Sequence, residues 1–208
     1  MTELSSLLQP DKGQAATALH LVDKKGFEAW LSAQPDKVRQ AAEAQGFRGE
    51  GFQIAILPGE PDWSAVLGVA NFDDLSPWCL AKAAEALPEG SYRVAGRGPG
   101  PAVLGWLLGQ YQFDCYKKEA PKKGPRILLT DEPARIEETL LLAEATALVR
   151  DLVNIPAQDL GPQELESAVS DLAKACSAEL LTTSGDDLER EYPMVHAVGR
   201  AAAPGREP

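Results

Sequence analysis

The stretch Gly96-Arg97-Gly98-Pro99-Gly100 offers the clearest opening for chemistry in this chain. It follows a predicted strand and opens a predicted helix. In that geometry, backbone N–H groups and a helix N-terminus cradle a phosphate. No Lys-Ser/Thr pair follows, so it is not a P-loop. Ala102 or Val103 would have to replace the last glycine of a G-x-G-x-x-G fingerprint. A tight strand-to-helix turn without a ligand is the simpler expectation.

The other reactive residue types are scattered. His20 and His196 are the only histidines, and neither sits in an H-E-x-x-H or H-x-x-x-H pattern. A metal needs several converging ligands, and lone imidazoles in apolar runs are more often packed or hydrogen-bonded. The acid pairs Asp73-Asp74 and Asp186-Asp187 could share a metal or form an acid–base couple. Each precedes a predicted helix, however, where Asp favours the cap and first turn. Cys79, Cys115 and Cys176 are far apart, odd in number and lack C-x-x-C spacing, which fits reduced thiols in a cytosol. No serine stands in a G-x-S-x-G elbow. The motifs assign no catalytic, metal-ligating or ligand-binding residue.

The bulk properties narrow the classes further. The 208 residues are 44% hydrophobic and 25% charged, enough for a packed core. A net charge of −11 argues against a broad phosphate-neutralising surface and makes nucleic acid an unlikely partner. The one basic cluster, Lys117, Lys118, Lys122 and Lys123, is interleaved with Pro121, Gly124 and Pro125 and reads as a solvated loop. The N-terminus lacks a basic region followed by an apolar core. The richest apolar run, Leu140 to Val149, is too short to span a bilayer and is broken by Glu144. The expected compartment is the cytoplasm.

The elements that would hold these residues alternate. Residues 1–14 read as a loose arm. Strands are predicted over Ala15–Val22, Gly51–Leu57, Trp63–Ala70, Tyr92–Ala95 and Arg126–Thr130. Helices are predicted over Gly26–Ala33, from Pro35 to Gly46, from an Asp73 or Asp74 cap through Leu87, and over Ala102–Phe113. The longest helical pattern runs from an Asp131 cap to Asn154, with Ile136, Leu140, Leu141, Ala147, Leu148 and Leu152 on one face. Pro156 stops it, and Gly161-Pro162 with Glu164 restarts a helix to Ala175. A strand over Glu179–Thr183, a short helix over Asp186–Glu191 and a last strand over 195–198 follow. Residues 200–208 read as a tail that stops in mid-loop. Such alternation predicts an α/β domain with a mainly parallel or mixed sheet.

Three stretches carry a resemblance. Gly105-Trp106-Leu107-Leu108-Gly109-Gln110-Tyr111-Gln112-Phe113-Asp114-Cys115-Tyr116-Lys117 resembles the Gly-Trp-x-Leu-Gly-x-Tyr-x-Phe-x-x-Tyr-Lys segment of bacterial leucyl aminopeptidases. Arg150-Asp151-Leu152-Val153-Asn154-Ile155-Pro156-Ala157-Gln158-Asp159-Leu160-Gly161-Pro162 is similar to that family's Arg-Asp-Leu-x-Asn-Thr-Pro-Ala-Asn-Asp-x-x-Pro. Ile155 stands for its Thr and Gln158 for its Asn. Tyr192 to Ala201 resembles its Phe-Pro-x-x-x-Ala-Val-Gly-Arg-Ala/Ser. The three occur in family order.

The resemblance implies a macro-domain-like α/β domain, with a central mixed sheet flanked by helices, over residues 1–130. It implies a connecting helix and hinge over 131–158 and the truncated beginning of a peptidase domain over 159–208. The family's peptidase domain binds two divalent metals, manganese or zinc, in a homohexamer that hydrolyses N-terminal residues from peptides. Its ligand segments, resembling Gly-Lys-Gly-x-x-x-Asp-[ST]-Gly-Gly and Asn-Thr-Asp-Ala-Glu-Gly-Arg, are not among these 208 residues, so no catalytic or metal residue carries over. Inactivity, with a role in assembly or active-site access, is the expectation. Asn154 and Asp159 read as turn residues. A macro-like module for a nucleotide or ADP-ribose, resting on the Gly96–Gly100 loop, and an accessory DNA-binding domain are the alternatives.

Overall fold

A computed structural model describes residues 3–59, 62–118 and 123–200. The chain divides into two compact units, residues 1–147 and 148–208. The first is built on a six-stranded sheet of order β1-β6-β5-β2-β4-β3. The strands are β1 (Leu8–Pro10), β2 (Thr17–Asp23), β3 (Ile54–Pro58), β4 (Trp63–Val69), β5 (Gly90–Val94) and β6 (Arg126–Thr130). All neighbours pair parallel except β3, which runs antiparallel to β4 at one edge. The mixed α/β sheet expected from the alternation is therefore present.

Helices cover the two faces unequally. Leu19, Leu21, Leu67, Tyr92, Val94 and Leu128 point to one face, where they pack with α3 (Ala81–Ala86), α4 (Val103–Leu108) and the N-terminal Leu4 and Leu7. Ile136, Leu140, Ala143 and Ala147 of α5 (Ile136–Asn154) join the same cluster. The opposite face has a smaller cluster. There, Val22, Ala55, Leu57 and Val66 pack under Phe27 and Leu31 of α1 (Phe27–Ser32), Ala42 of α2 (Asp36–Ala44) and Phe47.

Several local expectations need correction. Residues 4–10 are not a loose arm: Leu4, Leu7 and Leu8 are buried, and β1 pairs with β6. The strand expected from Gly51 begins at Ile54. Phe52 instead adopts a positive φ of 67° and donates its N–H to the Gly68 carbonyl. Asp73 and Asp74 cap nothing, because α3 starts only at Ala81, after a string of turns. The helix expected to reach Phe113 ends at Leu108. Asp131 does not cap α5, which begins at Ile136 after a 3₁₀ turn over Pro133–Arg135.

The second unit contains the end of α5 and α6 (Pro162–Ala175), α7 (Gly185–Glu191) and α8 (Pro193–Gly199). The strand expected over Glu179–Thr183 is irregular backbone, and residues 195–198 lie in α8 rather than in a strand. Both corrections have one cause. A strand needs a partner ladder, the described residues of this unit contain no strand, and Pro193 at the first helical position pre-sets a helical φ. Of the terminal tail expected over 200–208, residues 201–208 lie outside the described residues.

Candidate functional site

The carboxyl ends of the parallel strands form the crevice where ligands of open α/β sheets bind. In this chain the crevice is closed by its own side chains. Gly96 and Gly100 take φ of 76° and 52°, which lets the loop after β5 turn into α4. A cleft of about 300 Å³ remains beside it, lined by Asp11, Arg93, Gly96, Arg97, Leu129 and Asp131. A Cβ on Gly98 would lie 2.7 Å from Asp131 Oδ1, so a carboxylate sits against the middle of the glycine loop. Asp11, a second carboxylate, is gripped in two-pronged fashion by Arg93, which holds its pKa down to about 2.

The remaining cation has turned away. Arg97 lies over the Phe72 ring at 5.0 Å and donates to the Phe72 carbonyl. Asp23, at the end of β2, accepts from the N–H groups of Gly26 (2.7 Å) and Phe72 (3.1 Å), and these bonds hold its pKa below the usual carboxylate range. A phosphate entering here would meet two carboxylates, and α4 is only six residues long. The ADP-ribose reading is therefore not favoured, and the glycine stretch acts as a turn.

The other sequence candidates stay apart. His20 lies on β2, half-buried, and burial lowers its pKa. His196 is on α8, its Nδ1 4.0 Å from Glu189. Asp186 and Asp187 occupy the first turn of α7, where the helix dipole favours them. Cys79 is buried beside Ser76, while Cys115 and Cys176 are exposed. Lys123 donates to the Glu85 carbonyl at 3.1 Å, and Lys122 falls outside the described residues. Among the described residues, no three His, Cys, Asp or Glu side chains converge as a metal site would require.

The most recognisable motif turns out to be a packing device. Gly105 and Gly109 lie four residues apart along α4 and its cap. A Cβ on either would overlap a backbone carbonyl, that of Pro77 or of Ala81, so only glycine allows α4 this close to the start of α3. Trp106 is fully buried, 5.4 Å from the Tyr92 ring, and its Nε1–H donates to the Arg126 carbonyl at 2.9 Å. Gln110 pairs with the same residue twice, donating to its carbonyl at 2.8 Å and accepting from its N–H at 3.0 Å. The buried Arg126 guanidinium donates to the carbonyls of Ala84 and Gly124, and burial lowers its pKa. Sequence reasoning missed Gln110 and Arg126, since nothing in their spacing links residues so far apart in the chain.

In the second unit the junction behaves as its local chemistry predicts. The α5 helix stops at Asn154. The N–H groups of Asp159 and Leu160 both donate to the Pro156 carbonyl, forming a tight turn. Gly161 N–H then donates to Glu164 Oε2 at 2.8 Å, and α6 starts on Pro162. The apolar faces beyond it are uncovered. Leu160, Pro162, Leu165, Met194, Val195 and Val198 line an open groove of about 670 Å³.

The fold and its closed crevice define a mixed α/β domain with no catalytic cluster among its described residues. Residues 17–129 match the family model described as "M17 aminopeptidase, N-terminal domain", and the chain belongs to that family. A probable cytosol aminopeptidase of Rhizobium johnstonii is 28% identical over 206 residues, covering 86% of this chain and 40% of the relative. One from Brucella anthropi is 30% identical, covering 82% and 40%. The crystal structure of a cytosol aminopeptidase from Coxiella burnetii superposes with a TM-score of 0.78 at 27% identity, over 95% of this chain and 44% of that one. The chain thus spans about 40% of the length of the curated relatives it matches.

Proposed function

We propose that these 208 residues serve a metal-dependent leucyl aminopeptidase as its non-catalytic N-terminal portion. Residues 1–130 are the accessory domain, 131–158 the connecting helix and hinge, and 159–208 the first elements of a peptidase domain. The whole enzyme would remove N-terminal residues from peptides in the cytoplasm. It would hold two manganese or zinc ions in its peptidase domain and assemble as a hexamer. The accessory domain would support that assembly and limit access to the active site.

The observation that carries this reading is the family match over residues 17–129, continued in order by the Arg150–Pro162 and Tyr192–Ala201 stretches. The uncovered apolar faces of α6 and α8 support it from the other end, since they suit a larger domain packed upon them. The described residues do not fit a metal pair, so no step of hydrolysis is assigned to them. In an assay of the purified chain with leucine p-nitroanilide and added manganese or zinc, no turnover is expected. Robust metal-dependent cleavage would sink the proposal.

A further inference from the structure

Arg126 is the one basic side chain buried among the described residues, with 3% of its surface exposed. Its main chain is clamped: Trp106 and Gln110 donate to its carbonyl, and Gln110 accepts from its N–H. Its side chain reaches the end of α3, where Nε donates to the Ala84 carbonyl at 2.8 Å and Nη1 to the Gly124 carbonyl at 2.6 Å. These bonds satisfy carbonyls at a helix C-terminus and in a loop, which accounts for a donor at this position. They do not balance its charge. A buried cation is costly unless paired, and burial lowers the Arg126 pKa. Arg93, on the adjacent strand, pairs with Asp11, whereas Arg126 makes no ion pair among the described residues.

The guanidinium is also not fully used. Its Nη2 makes no hydrogen bond among the described residues, whose side-chain nitrogens and oxygens sealed from solvent all have partners. Nη2 therefore reaches solvent. The surface it reaches is a cleft of about 300 Å³, lined also by Glu85 and Lys123. Lys123 converges on the same point. Its Nζ donates to the Glu85 carbonyl at 3.1 Å, next in the chain to the Ala84 carbonyl that Arg126 holds. The two cationic heads sit on consecutive carbonyls at one helix end, and Nζ keeps further protons free. Glu85 brings an opposing charge, but its carboxylate is held by Lys82 at 2.9 Å and its side chain is 59% exposed, so water screens it. Glu89, also exposed, lies over Gly124. Lys82, Lys123 and Arg126 outnumber these two carboxylates, a local positive excess in a chain of net charge −11.

We propose that this cleft binds a small oxyanion of the phosphate type, seated between Arg126 Nη2 and Lys123 Nζ. Arg126 supplies a fixed donor, because its main chain and its other nitrogens are already committed. Lys123 supplies an adjustable one. The anion supplies the counter-charge for the buried guanidinium. The site lies at the amino end of β6, where the chain enters the sheet, whereas the glycine loop follows the carboxyl end of the parallel strand β5. It is separate from that crevice and does not depend on the proposed aminopeptidase role.

The test uses the 208-residue chain at pH 7, with inorganic phosphate as the probe and sodium chloride balancing the ionic strength. Binding is followed by amide chemical shifts and the Arg126 Nε–H signal up to about 50 mM, since an ion held by few contacts binds in the millimolar range. The expected result is a saturable shift centred on Ala84, Lys123, Gly124 and Arg126 that chloride does not reproduce. Lys123→Gln keeps a donor for the Glu85 carbonyl but removes the charge, and should weaken binding at least about fivefold, the scale of one charge-assisted bond. Lys37→Gln, on α2 across the sheet, should leave binding unchanged. No saturation by about 50 mM, the same shifts with chloride alone, or equal affinity in the Lys123 and Lys37 variants would each overturn the proposal.

Discussion

Residues 1–147 and 148–208 use similar apolar side chains to opposite effect. In the first unit, Leu19, Leu67, Leu80, Leu107 and Leu128 are almost wholly buried, together with Tyr92 and Trp106. In the second, Leu188 is the one buried hydrophobic residue among those described, whereas Leu165, Val169, Leu172, Leu181, Met194 and Val198 are exposed. The difference is not one of helix quality, since α6 has a Gly-Pro start, an N-terminal glutamate and a clean amphipathic pattern. What the described residues of the second unit lack is a sheet. Its helices satisfy their own backbones but have no broad surface to bury a face against, so local order exists without a core.

The sharpest way to break this contrast is to remove the first unit's central side chain. Trp106 contributes buried area, a tilted ring contact with Tyr92 and a hydrogen bond to the Arg126 carbonyl. Trp106→Ala should cost about 3–5 kcal/mol in urea unfolding, enough to leave a domain of ordinary stability marginal. Trp106→Phe keeps most of the ring and leaves the carbonyl with Gln110 alone. It should cost less, by at least about 1 kcal/mol. Equal losses for the two would mean that the indole bond, rather than packing, dominates.

The edge of the same sheet predicts an intermediate effect. The Gln45 side chain acts as a short extra strand: its Nε2 donates to the Ile56 carbonyl at 2.7 Å, and its Oε1 accepts from Ile56 N–H at 2.9 Å. At the other edge, β1 is three residues long and ends in Pro10, which has no N–H. Both edges are thereby blunted against pairing with another chain. Gln45→Ala should lower stability by about 1 kcal/mol and raise light scattering on heating. Unchanged scattering would show that this edge needs no guard.

Much of the first unit was legible because its signals are local. The strand predicted over Ala15–Val22 forms as Thr17–Asp23, and Arg126–Thr130 reads as a strand from composition; in the second unit the Pro156 stop and Gly161-Pro162 restart read from proline and glycine chemistry. What failed depended on partners distant in sequence. Leu4, Leu7 and Leu8 looked like a polar arm until β6 supplied a strand to pair with. Asp131 had the residue type and position of a helix cap, yet its carboxylate lies against Gly98. Residues 195–198 had a strand's composition and became α8 for want of a ladder. The candidate site was half legible: the glycine loop was found, but the carboxylates and the Arg97–Phe72 stack that close it come from four separate loops.

Acid should act on the first unit through Asp11 and Asp23. The Asp23 carboxylate joins the end of β2 to the Phe72 and Gly26 N–H groups, and its folded pKa lies below the ordinary 3.8. A depressed folded pKa means that its stabilisation is complete above the unfolded value and fades as pH falls through the folded one. Asp11, held at about 2 by Arg93, adds to the same slope. Stability measured by urea titration should therefore drop below about pH 4, and Asp23→Asn should flatten that drop while lowering the plateau above it. A variant with an undiminished acid slope would assign the effect to Asp11.

The smallest expected effect makes the comparison most direct. Leu107 on α4 and Leu172 on α6 are the same residue on helices of the same fold, one fully buried and the other 48% exposed. Leu107→Ala should cost about 2–5 kcal/mol, because its neighbours cannot collapse into the cavity. Leu172→Ala should stay within about 0.5 kcal/mol, because water already reaches the side chain and alanine favours the helix. If Leu172→Ala instead cost as much as a core truncation, α6 would have to be packed against something in solution, and self-association would be the first cause to measure. A near-zero cost would instead leave the second unit as a set of helices whose apolar faces contribute nothing to the stability of this chain alone. That is the behaviour expected of elements that belong to the core of a larger domain.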